Sequence, residues 1–142
     1  MMHVDGLLIP NLLLEMLDDG RWPRTAIEAS KQNLHSFVPE DRNRRLRSIF
    51  LFAPPFQTVA RAVASGGKDF YSQFGALHEL VPEAAIAIGD YGLGADTPIL
   101  LDYQNDPANP RVIQLEWPGD NGPNYWVVIA PDFASFVQEL GL

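Results

Sequence analysis

Any chemistry in this chain would have to come from scattered histidines, a series of aspartates and a cluster of arginines, because the 142 residues include no cysteine. That absence removes thiol nucleophiles, cysteine-ligated zinc and disulfide scaffolding. His3, His35 and His78 are too widely separated for any two to stand at ligand spacing. His78-Glu79 begins like a zinc-protease helix, but Pro82 occupies the place of the second histidine and would break such a helix. Gly89, Gly92 and Gly94 are spaced GxxGxG and lead into Thr97-Pro98. A phosphate loop needs a helix N-terminus at that point, so a strand-to-strand turn is the better reading. No serine has the flanking glycines of a nucleophile elbow. Asp90, Asp96, Asp102 and Asp106 offer hard oxygen ligands, but their spacing fits no calcium loop. Aspartate favours turns because it bonds its own backbone, which accounts for them more simply. Arg42, Arg44, Arg45 and Arg47 follow Glu40 and Asp41 and lack interleaved aromatics, so they read as a solvated face rather than a nucleic-acid contact. No catalytic residue, metal ligand or cofactor is expected, and the chain reads as non-enzymatic.

The elements that would hold these residues centre on the stretch from 84 to 130. Residues 84–89 and 98–103 are short apolar runs bounded by Gly and Pro, which favours strands over helices. Residues 111–117 (RVIQLEW) and 125–130 (YWVVIA) are two more. The connections are too short for crossover helices, so the strands should form an antiparallel meander. Alternation places Ile86, Ile88, Ile99, Leu101, Tyr103, Ile113, Leu115 and Trp117 on one apolar face. Ala85, Ala87, Leu100, Asp102, Val112, Gln114 and Glu116 fall on a thinner, wetter one. Phe133, Phe136, Val137 and Leu140 follow helical spacing, so a terminal helix should cap the apolar face, with Pro131 in its first position and Gly141 ending it.

The first half reads as mostly helical. Residues 10–18 carry an apolar stripe stopped by Gly20. Thr25, with Glu28 in the capping-box position, should open a second helix through Phe37. A strand is expected over 46–52 and a short helix over 56–64, while 70–81 is ambiguous, a short helix feeding the central sheet being one reading. The fold class is therefore α+β in a single domain over 1–142: a mostly antiparallel sheet, N-terminal helices, and a C-terminal helix on one face.

Composition sets outer limits. With 46% hydrophobic and 20% charged residues the chain is ordinary globular material, not a disordered one. No apolar run is long enough to span a bilayer, and the apolar residues near the start are interrupted by Pro10 and Asn11, so neither a membrane association nor a signal peptide is expected. A cytoplasmic location fits the missing cysteines. The net charge of −8 is unevenly placed. Residues 1–70 hold nine Lys/Arg and eight Asp/Glu, whereas residues 71–142 hold one basic residue, Arg111, against ten acidic ones, a net of −9. Such asymmetry suits either solubility or docking to a basic partner.

The run Gly92-Leu93-Gly94-Ala95-Asp96-Thr97-Pro98, an apolar strand ending in Asp102-Tyr103, the strand 111–117, a Tyr-Trp strand and a terminal helix with two Phe together resemble the SUKH superfamily, the Smi/Knr-type proteins. The similarity covers about residues 84–142, and Gly20-Arg21-Trp22 resembles a Gly-Arg-Trp near the start of some bacterial members. The resemblance implies a protein-binding role without catalysis. Many bacterial members are immunity proteins that bind and neutralise polymorphic toxins, often nucleases, and fungal members regulate the cell wall through protein contacts. On that reading the partner is a cognate, basic toxin domain. Carboxylates at Asp90, Asp96, Asp102, Asp106, Glu116 and Asp120 are the candidate partner-binding residues, with Asp102 and Glu116 sharing a sheet face and the others in or beside turns. Two other readings stand beside it: a small hydrolase or ligand-binding protein with a pocket near Asp90, Asp96 and Asp102, or a structural and regulatory partner in a larger assembly.

Overall fold

The computed structural model describes residues 2–32, 34–35, 48–67, 80–91, 97–116 and 124–142. Its elements are α+β. A hairpin of β1 (His3–Val4) and β2 (Leu7–Leu8) precedes α1 (Asn11–Asp19) and α2 (Ala26–Ser30). There follow β3 (Leu34–His35), β4 (Ser48–Leu51), α3 (Val59–Ala62), β5 (Ala85–Tyr91), β6 (Pro98–Asp102), β7 (Arg111–Glu116), β8 (Tyr125–Ala130) and α4 (Phe133–Leu140). Strands β3 to β8 form one sheet in sequence order, antiparallel throughout. The meander expected over 84–130 is thus present and extends through the 46–52 strand to β3.

The helix ends follow local chemistry. α1 stops at Gly20, whose φ of 84° is a left-handed angle that glycine takes without strain. Thr25, Thr58 and Asp132 cap the next three helices, accepting from the backbone N–H groups of Glu28, Arg61 and Ser135. Asp132 is therefore the cap, and Pro131 lies outside the helix rather than in its first turn. The second helix is shorter than its sequence suggests. It ends at Ser30, and Gln32 then uses its side-chain amide as a strand would, donating to the Leu51 carbonyl at 2.8 Å and accepting from the Leu51 N–H at 2.7 Å. That pairing continues the β4 ladder beyond the short β3 and commits the chain to extended structure. The anticipated turn at Gly92 and Gly94, the arginine cluster 42–47 and most of 70–81 lie outside the described residues.

Both faces of the sheet are covered in the middle. On the first, Ile49, Leu51, Ile86, Ile88, Ile99, Leu101 and Val112 pack against Leu13, Met16, Trp22, Phe133 and Phe136. On the second, Ala85, Leu100, Ile113 and Leu115 pack against Val59 and Leu80. This corrects the face assignment made from alternation. The register pairs Leu100 with Ile113 and Leu101 with Val112, so Ile113 and Leu115 belong to the second face, and Val112, Gln114 and Glu116 to the first. Because every residue from 111 to 116 except Arg111, Gln114 and Glu116 is apolar, β7's own alternation does not fix its side; the hydrogen-bond register does.

Two long-range bonds fasten the N-terminal half. The Trp22 indole N–H donates to the Phe52 carbonyl at 2.8 Å, and the buried Tyr103 hydroxyl donates to the Leu8 carbonyl at 2.8 Å. Burial pushes the Tyr103 phenol above its ordinary range. Gly89 stands at an irregularity in β5, where the register with β6 shifts between Ala87 and Gly89. A Cβ there would meet the Phe50 carbonyl oxygen at 2.8 Å. Gly89→Ala should therefore destabilise the fold by about 1–3 kcal/mol through backbone displacement, read by urea denaturation. A loss under about 0.5 kcal/mol, the range of neutral surface changes, would show that β4 and β5 are not this close.

Candidate protein-docking surface

The structure divides the six candidate carboxylates. Asp102 ends β6 opposite Arg111, the first residue of β7. It is 2% exposed. One oxygen accepts from the Arg111 Nε at 2.8 Å and the other from the Gln104 N–H at 3.0 Å. A carboxylate so enclosed organises the strand end and does not lie on a docking face, which corrects the role expected of it. It also does not share a face with Glu116: by register Asp102 lies on the side of Leu100 and Ile113, and Glu116 on the side of Leu101 and Val112.

Asp106 is exposed in the β6–β7 connection, where it accepts from the Ala108 N–H at 2.9 Å, the self-bonded turn its residue type favours. Asp90 and Glu116 lie at the opposite end of the sheet. Asp90 is half-buried near the end of β5 and accepts from both the backbone N–H and the hydroxyl of Thr97, at 2.9 and 3.1 Å. Glu116 is half-buried at the end of β7, accepts from the Gln114 side-chain amide at 3.2 Å, and stands opposite Tyr125. The two are two strands apart, on the order of 10 Å, on opposite faces. Asp96 and Asp120 lie outside the described residues.

The charge balance is sharper than composition alone conveys. Arg111 is the single basic residue of 71–142, and Asp102 engages it. Every other formal side-chain charge in that half is negative.

Beside Glu116 runs β8, the last strand of the sheet. Among the described residues no strand pairs with its outer edge. Its sequence, Tyr-Trp-Val-Val-Ile-Ala, carries no charge. Val128 is 48% and Tyr125 39% exposed, while Ile129 and Ala130 turn into the core. Among the described residues, Gln114 Oε1 and Asn124 Nδ2 have no hydrogen-bond partner, although both residues are more than nine-tenths buried, an arrangement that folded proteins rarely tolerate.

Two open grooves lie elsewhere, around the cis Pro54-Pro55 bond. One, of about 360 Å³, is lined by Ala26, Phe50, Phe52, Phe56 and Ala87 among others. The other, of about 740 Å³, runs between the N-terminal hairpin and Gln57–Arg61, with His3 on its wall. Neither includes Asp90 or Asp102, so the pocket imagined around those aspartates is not where these concavities are. At the second groove Asp5 accepts from the Thr58 hydroxyl at 3.0 Å and from the Arg61 Nε at 3.1 Å, with a further bond to the Arg61 Nη2. These bonds hold the Asp5 carboxyl below its usual range, Arg61 contributing most. They tie the hairpin tip to the start of α3. The sequence signal for this was Asp5-Gly6, a pair suited to a tight hairpin turn with both φ angles positive, here 50° and 87°.

Among the described residues no group of three His, Asp or Glu is placed to hold a metal ion, and no helix is long and apolar enough to cross a membrane. Compared with known protein families, with curated proteins and with solved structures, the chain matches none.

Proposed function

We propose that this chain is a non-enzymatic protein-binding module of the SUKH type, acting in the cytoplasm as an immunity protein that neutralises a basic toxin domain. The observation that carries the reading is the net charge of −9 over residues 71–142, whose single Lys/Arg, Arg111, is engaged by Asp102. A toxin that cleaves nucleic acid needs a basic surface to hold phosphates. A field of carboxylates speeds encounter with such a surface and penalises wrong partners. The immunity role itself comes from the resemblance over about residues 84–142. The docking carboxylates that remain are Asp106 at one end of the sheet, Asp90 and Glu116 at the other, and Asp96 and Asp120. The hydrolase or ligand-pocket alternative is weakened by the bonding of Asp102 to Arg111 and of Asp90 to Thr97.

The test is to read the gene neighbouring this chain's for a secreted protein with a toxin-like C-terminal domain and to measure association kinetics with that domain at two salt concentrations; a neighbourhood without one counts against the immunity reading. The association rate should fall steeply as salt rises, since screening shortens to about 8 Å at physiological ionic strength. A salt-independent rate would remove the acidic surface from the proposal and leave the −9 as a solubility feature.

A further inference from the structure

We infer that the groove between the N-terminal hairpin and residues 54–61 is a binding site for a small aromatic carboxylic acid. The inference goes beyond the protein-binding reading and does not rest on it, because the groove is lined by residues between 2 and 61 and includes none of the docking carboxylates. Its volume is about 740 Å³. Small-molecule sites span about 300–1,000 Å³ and combine apolar walls with a few polar groups that fix orientation. Here Met2 and Val4 stand on the hairpin side, and Pro54, Pro55 and Phe56 on the other. The proline rings and the Phe56 ring offer flat apolar surface. A planar aromatic body covers such surface with little conformational freedom of its own to lose.

The polar groups choose the ligand's charge. Arg61 spends one edge of its guanidinium on Asp5: Nε donates to Oδ2 at 3.1 Å, and Nη2 donates to Oδ1. Asp5 also accepts from the Thr58 hydroxyl at 3.0 Å, so its charge is paired and its position fixed from two sides. A guanidinium has five N–H donors. Asp5 takes two of them, and among the described residues nothing bonds to Nη1. His3 is exposed on the groove wall, and among the described residues its ring is not hydrogen-bonded. An imidazole donates at least one N–H whether neutral or charged. The groove thus holds spare donors from two elements, β1 and α3, while its one carboxylate is already engaged. A ligand carboxylate supplies the missing acceptors in the planar form that a guanidinium bonds most strongly. An amine would have to compete with Arg61 for Asp5. Because Asp5 already holds Arg61, less side-chain freedom is lost when a ligand arrives.

The experiment titrates the isotopically labelled full chain with naphthalene-2-acetate, with its neutral counterpart naphthalene-2-acetamide and with the cation 2-(2-naphthyl)ethylamine, following backbone amides by NMR. The acid should shift the amides of His3–Asp5 and Phe56–Arg61 and saturate with a Kd of about 1 mM or below, as a ligand of its size allows. The amide and the amine should each bind about tenfold more weakly. His3→Ala removes an exposed, unbonded ring, so the fold should be kept; it should weaken the acid about threefold and leave the amide unchanged. Arg61→Gln should bring the acid down to the amide's affinity, with the amide reporting that the groove is still formed. Should that variant open the hairpin, Arg61→Lys keeps a bond to Asp5 and should weaken the acid about threefold by losing the planar fork. No saturable shift up to about 10 mM acid overturns the inference. So do shifts centred on Ala26, Phe50 and Ala87, which line the other groove. An amide or amine that binds as tightly as the acid also overturns it, because the anion is then not what is recognised. An acid undiminished in both Arg61 variants does the same.

Discussion

Phe136→Ala is expected to lower the unfolding free energy by about 3–5 kcal/mol, the range for deleting a fully buried aromatic side chain. Phe136 is 0% exposed and belongs to the core between the terminal helix and the first face of the sheet. Its ring lies 6.3 Å from that of Phe133, which in turn lies 5.8 Å from Trp22. The aromatic contacts therefore join the last helix to the N-terminal half, and a cavity at Phe136 removes support from both. The helix cannot readily shift to refill it, because Asp132 caps one end and Gly141, at φ 75°, closes the other. A loss of this size is a large share of the 5–15 kcal/mol that an ordinary domain has in total. Urea denaturation measures it, with Glu139→Ala, exposed on the same helix, as a control expected to stay within about 0.5 kcal/mol. A loss below about 1 kcal/mol at Phe136 would mean that the helix does not cover the sheet as described.

That helix was readable from its spacing, as was α1, because an apolar stripe with a glycine stop leaves few alternatives. The strands from β4 onward were readable as short apolar runs between turn residues. Which way each strand faces was not. In β7 the neighbours Val112 and Ile113 are both apolar and both buried, so two opposite assignments satisfy the pattern equally well. The choice is made by pairing with β6, and sequence order does not reveal register. The same blindness concealed the partner of Asp102. Arg111 is nine residues away, and the two meet only because the strands turn back with these residues opposed. The second helix failed for a different reason. Thr25 and Glu28 are a good start signal, but the stop comes from Gln32 bonding to Leu51, nineteen residues on, a tertiary contact with no local trace. Of the candidate surface, the excess of carboxylates was plain from counting. Their separation to two ends and two faces of the sheet required coordinates, as did the exposure of β8, whose sequence reads like any interior strand.

Reversing the charge at Asp102 and at Glu116 should have opposite kinds of consequence. Asp102→Lys is expected to destabilise the protein by at least about 2 kcal/mol. Breaking a buried ion pair by removing one partner costs about 3–5 kcal/mol, and the figure is discounted here because Arg111 is one-third exposed and water can screen it. The replacement also places an ammonium beside the guanidinium and leaves the Gln104 N–H without its acceptor. Glu116→Lys, at a half-buried strand end, should cost no more than about 1 kcal/mol. Its effect should instead appear in slower association with a basic toxin domain, since it removes a carboxylate from the acidic end of the sheet. Thermal unfolding and binding kinetics on the two single variants separate these outcomes. Combining Asp102→Lys with Arg111→Glu restores opposite charges across the same pair of strands, and should recover part of the lost stability without altering toxin association. If Asp102→Lys unfolds like the wild type yet binds poorly, while Glu116→Lys binds normally, then Asp102 faces the partner after all and its pairing with Arg111 is not what holds the strand end.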